Sequence, residues 1–335
     1  MSETPLRIGL LGAATISENA VCAPARRAGH RLVVVAARDA DRARAFADAR
    51  GVERVAASYD EVLGDPEVDL VYNPLANGLH ARWNIAALRA GKHVLCEKPF
   101  AANGEDARRV AEVARAEGGV VMEAYHYAFH PVMRRVLEVV ASGEIGSVRH
   151  VGSTMVIPAP DDGNPRWSLD LAGGALMDVG CYALHALRQL GASAGGEPTV
   201  RSALAHERVG HPGVDEWVLA DLDYPGGATG GFFTSMDGPE IVMRLAVVGS
   251  LGRVEAHSFV LPHTDDRVEV VTAAGSRTER LGTRSSYDYQ LEVMADVVAG
   301  RIPVPLDLDD AVATMDLLDA TYVAAGLDPR PSGLS

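Results

Sequence analysis

Lysine is almost missing from this chain: of 31 basic residues only Lys92 and Lys98 are lysines, and the rest are arginines. Positive charge as a whole is also short, with 45 acidic residues and a formal charge of −14. That balance argues against a nucleic-acid partner, because a phosphate backbone calls for a basic face. Cysteine is limited to Cys22, Cys96 and Cys181, too few and too unpatterned for a disulfide framework or a zinc site. All three are expected to be reduced, buried thiols. No apolar run approaches the roughly 20 residues that span a bilayer. The opening Met1-Ser2-Glu3-Thr4-Pro5 lacks a basic segment followed by an apolar one, so no membrane partner and a cytoplasmic location are expected. What is present is 335 residues, 47% of them apolar, enough for two domains with separate cores.

The scarcity of lysine makes its two positions informative. Where only positive charge is needed Arg and Lys serve alike, whereas a site needing a compact, titratable ammonium resists replacement by arginine. Both lysines fall in Gly91-Lys92-His93-Val94-Leu95-Cys96-Glu97-Lys98-Pro99. Burial or a neighbouring charge can bring a lysine's pKa toward neutrality, so Lys98 is a candidate for moving a proton. Lys92, after Gly91 and before a strand, is expected to be a solvated surface residue.

Along the chain, apolar strands over 6–11, 32–37, 68–73, 93–96 and 120–125 alternate with helical patterns over 41–50, 58–63, 80–90 and 104–117. Strand–helix alternation implies a parallel sheet covered on both faces, with ligands at the carboxyl ends of its strands. That edge would carry Gly12, Asn73 and Glu97-Lys98-Pro99. After a helix over 130–142, β-type segments dominate (148–157, 200–208, 216–224, 228–235, 243–249, 253–256 and 267–273), separated by Gly and Pro turns. This predicts an antiparallel or mixed sheet in a second domain. Two helices, about 287–299 and 309–325, close the chain. The fold class is therefore α/β, with a dinucleotide-binding domain over residues 1–124 and a substrate-binding and oligomerisation domain over 125–335, the last helix packing back on the first domain.

Four segments carry chemistry. The turn Gly12-Ala13-Ala14-Thr15-Ile16-Ser17 follows the first strand, where a dinucleotide fingerprint would place three glycines at Gly12, Ala14 and Ser17; only one is glycine, so any tight strand–helix turn remains an alternative. At the end of the second strand Ala37 stands where a carboxylate would bind a ribose hydroxyl, and Arg38 follows it. This favours a 2′-phosphate and NADP, although NAD remains possible and Asp39 could rotate toward a ribose. In Gly173-Gly174-Ala175-Leu176-Met177-Asp178-Val179-Gly180-Cys181-Tyr182-Ala183-Leu184-His185, helical spacing puts Asp178, Tyr182, His185 and Gln189 on one stripe. A phenol beside a carboxylate and an ammonium can relay the proton of a hydroxyl whose carbon gives up hydride; the alternative is an amphipathic helix whose polar stripe meets water. Finally, His126 and His130 lie close in sequence, but nothing nearby supplies the further ligands a zinc or iron site needs, so no metal is expected.

Glu97-Lys98-Pro99 after a Rossmann-type strand, preceded by Ala90-Gly91-Lys92-His93-Val94 and joined to Gly-Gly-Ala-Leu-Met-Asp-Val-Gly-Cys-Tyr, resembles the glucose–fructose oxidoreductase / inositol dehydrogenase (Gfo/Idh/MocA) family through nearly the whole chain. The resemblance implies a Rossmann domain followed by an α/β domain with a large, open, mostly antiparallel sheet. It implies that Lys98 meets nicotinamide ribose and substrate hydroxyl, and that Asp178 and Tyr182 complete the catalytic set. The tyrosine version is similar to the branch of dimeric dihydrodiol dehydrogenase, xylose dehydrogenase and sugar ketoreductases, which often uses NADP; Asn164 and Arg166 resemble its Asn-x-Arg element. His126 and Ala128 depart from that branch, which usually has methionine and arginine there.

The resulting expectation is an NADP-preferring oxidoreductase acting on a secondary alcohol, ketone or hemiacetal carbon of a sugar-like or cyclic diol substrate. Tyr182 takes the hydroxyl proton, Lys98 holds the hydroxyl and eases ionisation of the tyrosine, and Asp178 orients Lys98 or the substrate. Cofactor contacts are expected from Gly12, Ala13, Ala14, Thr15 and Ile16, from Arg38, from Asn73, Pro74, Leu75, Asn77 and His80, and from Glu97 and Lys98. Arg166, His126 and His185 are expected around the substrate. A homodimer or homotetramer is expected, because a large sheet with few covering helices leaves a face to bury. A cofactor-sensing regulator without turnover and an NAD-dependent glycosidase are the alternatives.

Overall fold

The computed structural model describes residues 5–334; Met1–Thr4, read above for a targeting signal, lie outside the described residues. Two compact units divide the chain: one holds the residues up to Tyr125, Tyr287–Val312 and those from Ser332 on, the other His126–Ser286 and Ala313–Pro331. The sequence draws one boundary, between 124 and 125, and returns the last helix to the first domain. In the structure the segment returned to the first unit holds most of the penultimate helix, Ser286–Val298.

The first unit is built on a six-stranded parallel sheet of β1 (Arg7–Leu11), β2 (Arg31–Ala36), β3 (Arg54–Val55), β4 (Leu70–Asn73), β5 (His93–Cys96) and β6 (Val121–Glu123), in the order β3-β2-β1-β4-β5-β6. Apart from the edge strand β3, its strands are almost wholly buried, as parallel strands covered on both faces must be. Helices α1 (Ala23–Ala28), α2 (Ala40–Arg50), α3 (Tyr59–Gly64), α4 (His80–Arg89) and α5 (Gly104–Glu117) connect them. The starts of α2, α3 and α5 are fixed by Asp39, Ser58 and Asn103, whose side chains accept from the backbone N–H three residues on. The strand order reverses between β1 and β4, so their carboxyl ends open the crevice where ligands bind this architecture. Strand β3 escaped the sequence reading because it has two residues, both exposed.

Lys92 does not point freely into water. Its Nζ donates to the carbonyls of Asp65 at 2.7 Å and Val68 at 2.9 Å, tying β5 to the connection before β4. This corrects the expectation of a solvated residue. A compact ammonium with three donors fits a pocket of carbonyls that a planar guanidinium would not.

The second unit is built on α6 (Pro131–Ala141), α7 (Cys181–Gln189) and an eight-stranded sheet. Its strands are β7 (Val148–Val156), β8 (Thr199–Glu207), β9 (Asp215–Asp223), β10 (Thr229–Ser235), β11 (Val242–Gly249), β12 (Gly252–Ala256), β13 (Arg267–Thr272) and β14 (Gly275–Arg280), ordered β14-β13-β12-β11-β7-β10-β9-β8. Only β7 and β10 pair in parallel. The alternating burial along β7, β9 and β10 gives the sheet two unlike faces. One packs on α6 and α7. On the other, Leu204, Leu219 and Phe233 stand side by side across β8, β9 and β10 and remain exposed. Strand β14 was missed from sequence because it is a charged edge, with Arg277, Glu279 and Arg280 along nearly its whole exposed length.

Candidate active site

At the carboxyl end of β1 the chain turns through Gly12, whose φ of +87° favours glycine and where a Cβ would meet the Leu75 side chain at 3.1 Å. Gly12 and Ala13 are buried, whereas Ala14, Thr15 and Ile16 rise toward solvent. Ser17 Oγ, at the foot of the turn, is buried without a hydrogen-bond partner among the described residues. A glycine-hinged turn with exposed backbone at a sheet's switch point suits a pyrophosphate, so these residues fit a nicotinamide dinucleotide.

At the end of β2 Asp39 is committed to capping α2, its carboxylate accepting from Arg42 N at 3.0 Å. That leaves the exposed Arg38 as the charged group at the strand end. A second arginine joins it: Arg42 Nη2 donates to Ala13 O at 2.7 Å, fastening the start of α2 to the turn after β1. Burial pushes the Tyr59 phenol up, and the positive charges of Arg38 and Arg42 offset part of that rise. Tyr59 stacks edge-on against Trp83 with ring centroids 4.9 Å apart. Arg42 and Tyr59 were missed from sequence; one arginine among many gives no signal until the helix places it beside the turn.

The loop after β4 is organised from within. Asn73 is fully buried; its Nδ2 donates to Asn84 Oδ1 at 2.8 Å and to His80 O at 3.3 Å, and its Oδ1 accepts from Leu75 N at 3.4 Å. Pro74 is buried, and Leu75 and Asn77 are half-buried. His80 is buried with Nδ1 2.7 Å from Pro99 O and Nε2 2.8 Å from Leu75 O. Burial pushes the imidazole down to about 4, with the Lys98 charge adding to the effect. His80 therefore sits between the β4 loop and the Glu97-Lys98-Pro99 turn, a neutral ring donating to one of the two carbonyls and an imidazolium to both. Glu97 accepts from Tyr72 Oη at 2.8 Å. Lys98 is half-buried, and its peptide bond to Pro99 is cis.

In the second unit, the segment leading to α7 begins as a wide π-turn, Leu176–Gly180, and is buried along its length. Asp178, Tyr182 and His185 are 7%, 6% and 0% exposed, which excludes a polar stripe turned to water. Arg166 Nε pairs with Asp178 Oδ2 at 2.9 Å, and the carboxylate's charge pushes the guanidinium up. Arg166 is placed by Asn164, whose side chain accepts from Arg166 N at 3.1 Å and caps a single turn over Pro165–Trp167. The paired glycines follow from crowding: at Gly174, with φ +130°, a Cβ would collide with Asp215 Oδ1 at 2.0 Å. Asp215, fully buried against Arg330, accepts from Leu176 N at 2.6 Å and from Tyr322 Oη at 2.9 Å. This cluster, which the sequence did not reveal, fixes the start of the turn that carries Asp178.

Tyr182 Oη lies 3.3 Å from His126 Nε2, and His126 Nδ1 lies 2.8 Å from Ser286 Oγ. His185 is engaged at both nitrogens, Nδ1 2.6 Å from Tyr127 Oη and Nε2 3.3 Å from the Gln189 amide. His130 caps α6 through Nδ1 and reaches Arg284 O with Nε2 at 3.1 Å. Among the described residues no three His, Cys, Asp or Glu side chains form a metal-binding group. Cys22, Cys96 and Cys181 are free and buried, and no described helix is long and apolar enough to cross a membrane.

Residues 6–125 match an oxidoreductase family with an NAD-binding Rossmann fold, and residues 133–255 match the GFO/IDH/MocA C-terminal domain. D-xylose 1-dehydrogenase (NADP(+)) 2 of Haloferax volcanii is 36% identical over 323 residues, covering 96% of this chain and 97% of that protein. Trans-1,2-dihydrobenzene-1,2-diol dehydrogenase of Mus musculus is 34% identical over 239 residues, 69% of this chain and 68% of the relative. Among solved structures, a 3-ketoreductase from Actinomadura kijaniata in complex with NADP and TDP-benzene superposes with a TM-score of 0.87 at 29% identity, covering 96% of this chain and 98% of that one.

Proposed function

The chain belongs to the Gfo/Idh/MocA oxidoreductase family, and from that premise we propose an NADP-preferring enzyme for a secondary alcohol, ketone or hemiacetal carbon of a sugar-like or cyclic diol substrate. It is an NAD(P)-dependent oxidoreductase. The observation that carries the substrate chemistry is the burial of Asp178, Tyr182 and His185 on a helix with little other contact with water. Buried polar groups are costly unless they are bonded or used.

The dinucleotide, when bound, supplies the acceptor or donor of hydride. Gly12 to Ile16 would hold its pyrophosphate, Arg38 and Arg42 a 2′-phosphate, and the loop organised by Asn73 and His80 the remainder, with Asn77, Glu97 and Lys98. In oxidation Tyr182 takes the hydroxyl proton, while Lys98 holds the hydroxyl and supplies positive charge that favours the phenolate. Asp178, paired with Arg166, orients the polar groups of the substrate, and the half-exposed Arg166 meets its hydroxyls. His185 supports this set through Tyr127. The relatives named for xylose and dihydrobenzenediol oxidation and for 3-keto reduction support this substrate class. The enzyme acts in the cytoplasm, where buried free thiols stay reduced.

The proposed assembly is a homodimer, or a pair of dimers, through the open face of the eight-stranded sheet, where Leu219 and Phe233 border a shallow depression of about 430 Å³. Light scattering should return at least twice the 35.4 kDa chain mass; a monomer at micromolar concentration contradicts it. The activity is tested by screening D-xylose, other aldoses, polyols and trans-dihydrobenzenediol with NADP+ and NAD+. Net reduction of NADP+ by one of these is expected. Free sugar released without net reduction would make the chain a glycosidase, and NADPH binding without any turnover would make it a regulator.

A further inference from the structure

We infer that His126 is a positioning residue that holds the proton leaving Tyr182, through a chain of hydrogen bonds from the phenol to the imidazole to Ser286. The inference rests on the reading of Tyr182 as the group that takes the substrate's hydroxyl proton. Its basis is geometric: Tyr182 Oη is 3.3 Å from His126 Nε2, and His126 Nδ1 is 2.8 Å from Ser286 Oγ. Ser286, His126 and Tyr182 are 0%, 1% and 6% exposed, so His126 is better placed to act through the phenol than to meet a substrate directly. The two rings meet edge-on, with centroids 5.9 Å apart and planes at 72°.

Both partners are hydroxyls and fit either tautomer, and the relay requires one of them. A neutral imidazole with its hydrogen on Nδ1 donates to Ser286 Oγ and leaves the Nε2 lone pair for the Tyr182 O–H. Two polar neighbours of Tyr182 have partners of their own: Tyr127, edge-on to Tyr182 with centroids 6.0 Å apart, bonds to His185, and Asp178, one turn earlier, pairs with Arg166.

In oxidation the carbinol C–H bond breaks with its electron pair leaving as hydride to the bound dinucleotide, and the C=O bond forms. The substrate's O–H proton passes to Tyr182 Oη as the phenol's own proton passes to His126 Nε2. The imidazolium holds that proton until the product leaves and returns it through Tyr182 to water; reduction runs the same transfers backward. Because the phenol's own proton departs as the substrate's arrives, the phenolate character that Lys98 favours is transient, and its desolvation cost in a buried site stays small. An imidazole can accept a proton at one ring nitrogen while the other keeps its hydrogen, and can release it again.

The test uses the substrate of the above panel that is turned over fastest. His126→Gln keeps a side chain that accepts from the phenol but cannot store a proton. It should lower kcat at least about tenfold, with KM and NADPH binding little changed, and the loss in His126→Ala should be partly and saturably restored by added imidazole. Tyr182→Phe is measured beside them. An active Tyr182→Phe would sink both the relay and the reading of Tyr182; an inactive Tyr182→Phe with His126→Gln close to the parent enzyme would overturn the relay alone. Nitrogen-15 NMR of the histidine-labelled parent gives an independent answer even if the variants fold poorly: a neutral ring protonated at Nδ1 is expected, and one protonated at Nε2 overturns the relay.

Discussion

The two ends of strand β5 carry the chain's two lysines and use them differently. At the amino end the Lys92 ammonium is spent on the Asp65 and Val68 carbonyls, joining two segments of the first unit. At the carboxyl end, the edge where this architecture binds ligands, the turn of Lys98 is secured by another residue, His80, whose ring spans Pro99 O and Leu75 O. Rarity of a residue type thus marks positions that need its chemistry without saying which need. Lys92 resists arginine for an architectural reason, whereas the reason proposed for Lys98 is chemical.

The difference can be broken at several points, with effects of decreasing size. The fold should lose stability with acid, because the desolvation of a charged His80 outweighs the second carbonyl bond that only an imidazolium can donate. Burial pushes His80 from an ordinary 6.5 down to about 4, so the unfolded chain takes up this proton first. The neutral ring's stabilisation is whole above pH 6.5 and is lost as the pH falls through 4, a change on the order of 3 kcal/mol. Urea melts between these limits should show stability falling with acid, with a smaller slope in His80→Asn; equal slopes would remove His80 from the account. Next, Arg38→Ala should weaken NADP binding relative to NAD by about 2 kcal/mol, the scale of a charge-assisted hydrogen bond, and Arg42→Ala should act in the same direction. Equal losses for both cofactors would contradict the assignment of this arginine pair. The smallest effect belongs to the amino end: Lys92→Arg should cost about 1 kcal/mol of stability, the net worth of a hydrogen bond, and leave turnover intact. A large fall in turnover for Lys92→Arg would erase the contrast between the two ends.

The parallel sheet was legible because strands buried on both faces read as short apolar runs punctuated by glycine, and because helix starts such as Asp39 and Asn103 carry their own caps. The cofactor turn was legible only in part. Gly12 meets the demand for a positive φ, but Ala14 and Ser17 carry no glycine signal, and the sharper cue, Arg42 on Ala13 O, exists only once α2 is folded. Around Tyr182 the stripe of polar residues could be read from helical spacing, yet spacing could not decide between water and burial. The wide turn over Leu176–Gly180 adds a residue per turn that no apolar period reveals. Asp215, Tyr322 and Arg330 come from distant parts of the sequence, so nothing local announces that they anchor this segment.

The central claim is that Lys98 serves chemistry while Lys92 serves architecture. The most direct measurement is turnover of Lys98→Arg and Lys92→Arg side by side, each with a fluorescence titration of NADPH. A guanidinium keeps the charge but neither the compact shape nor a proton it can give up. Lys98→Arg should therefore lose at least about a hundredfold in turnover while still binding NADPH, and Lys92→Arg should keep its turnover. Lys98→Arg retaining most of its activity would show that Lys98 is not part of the catalytic centre.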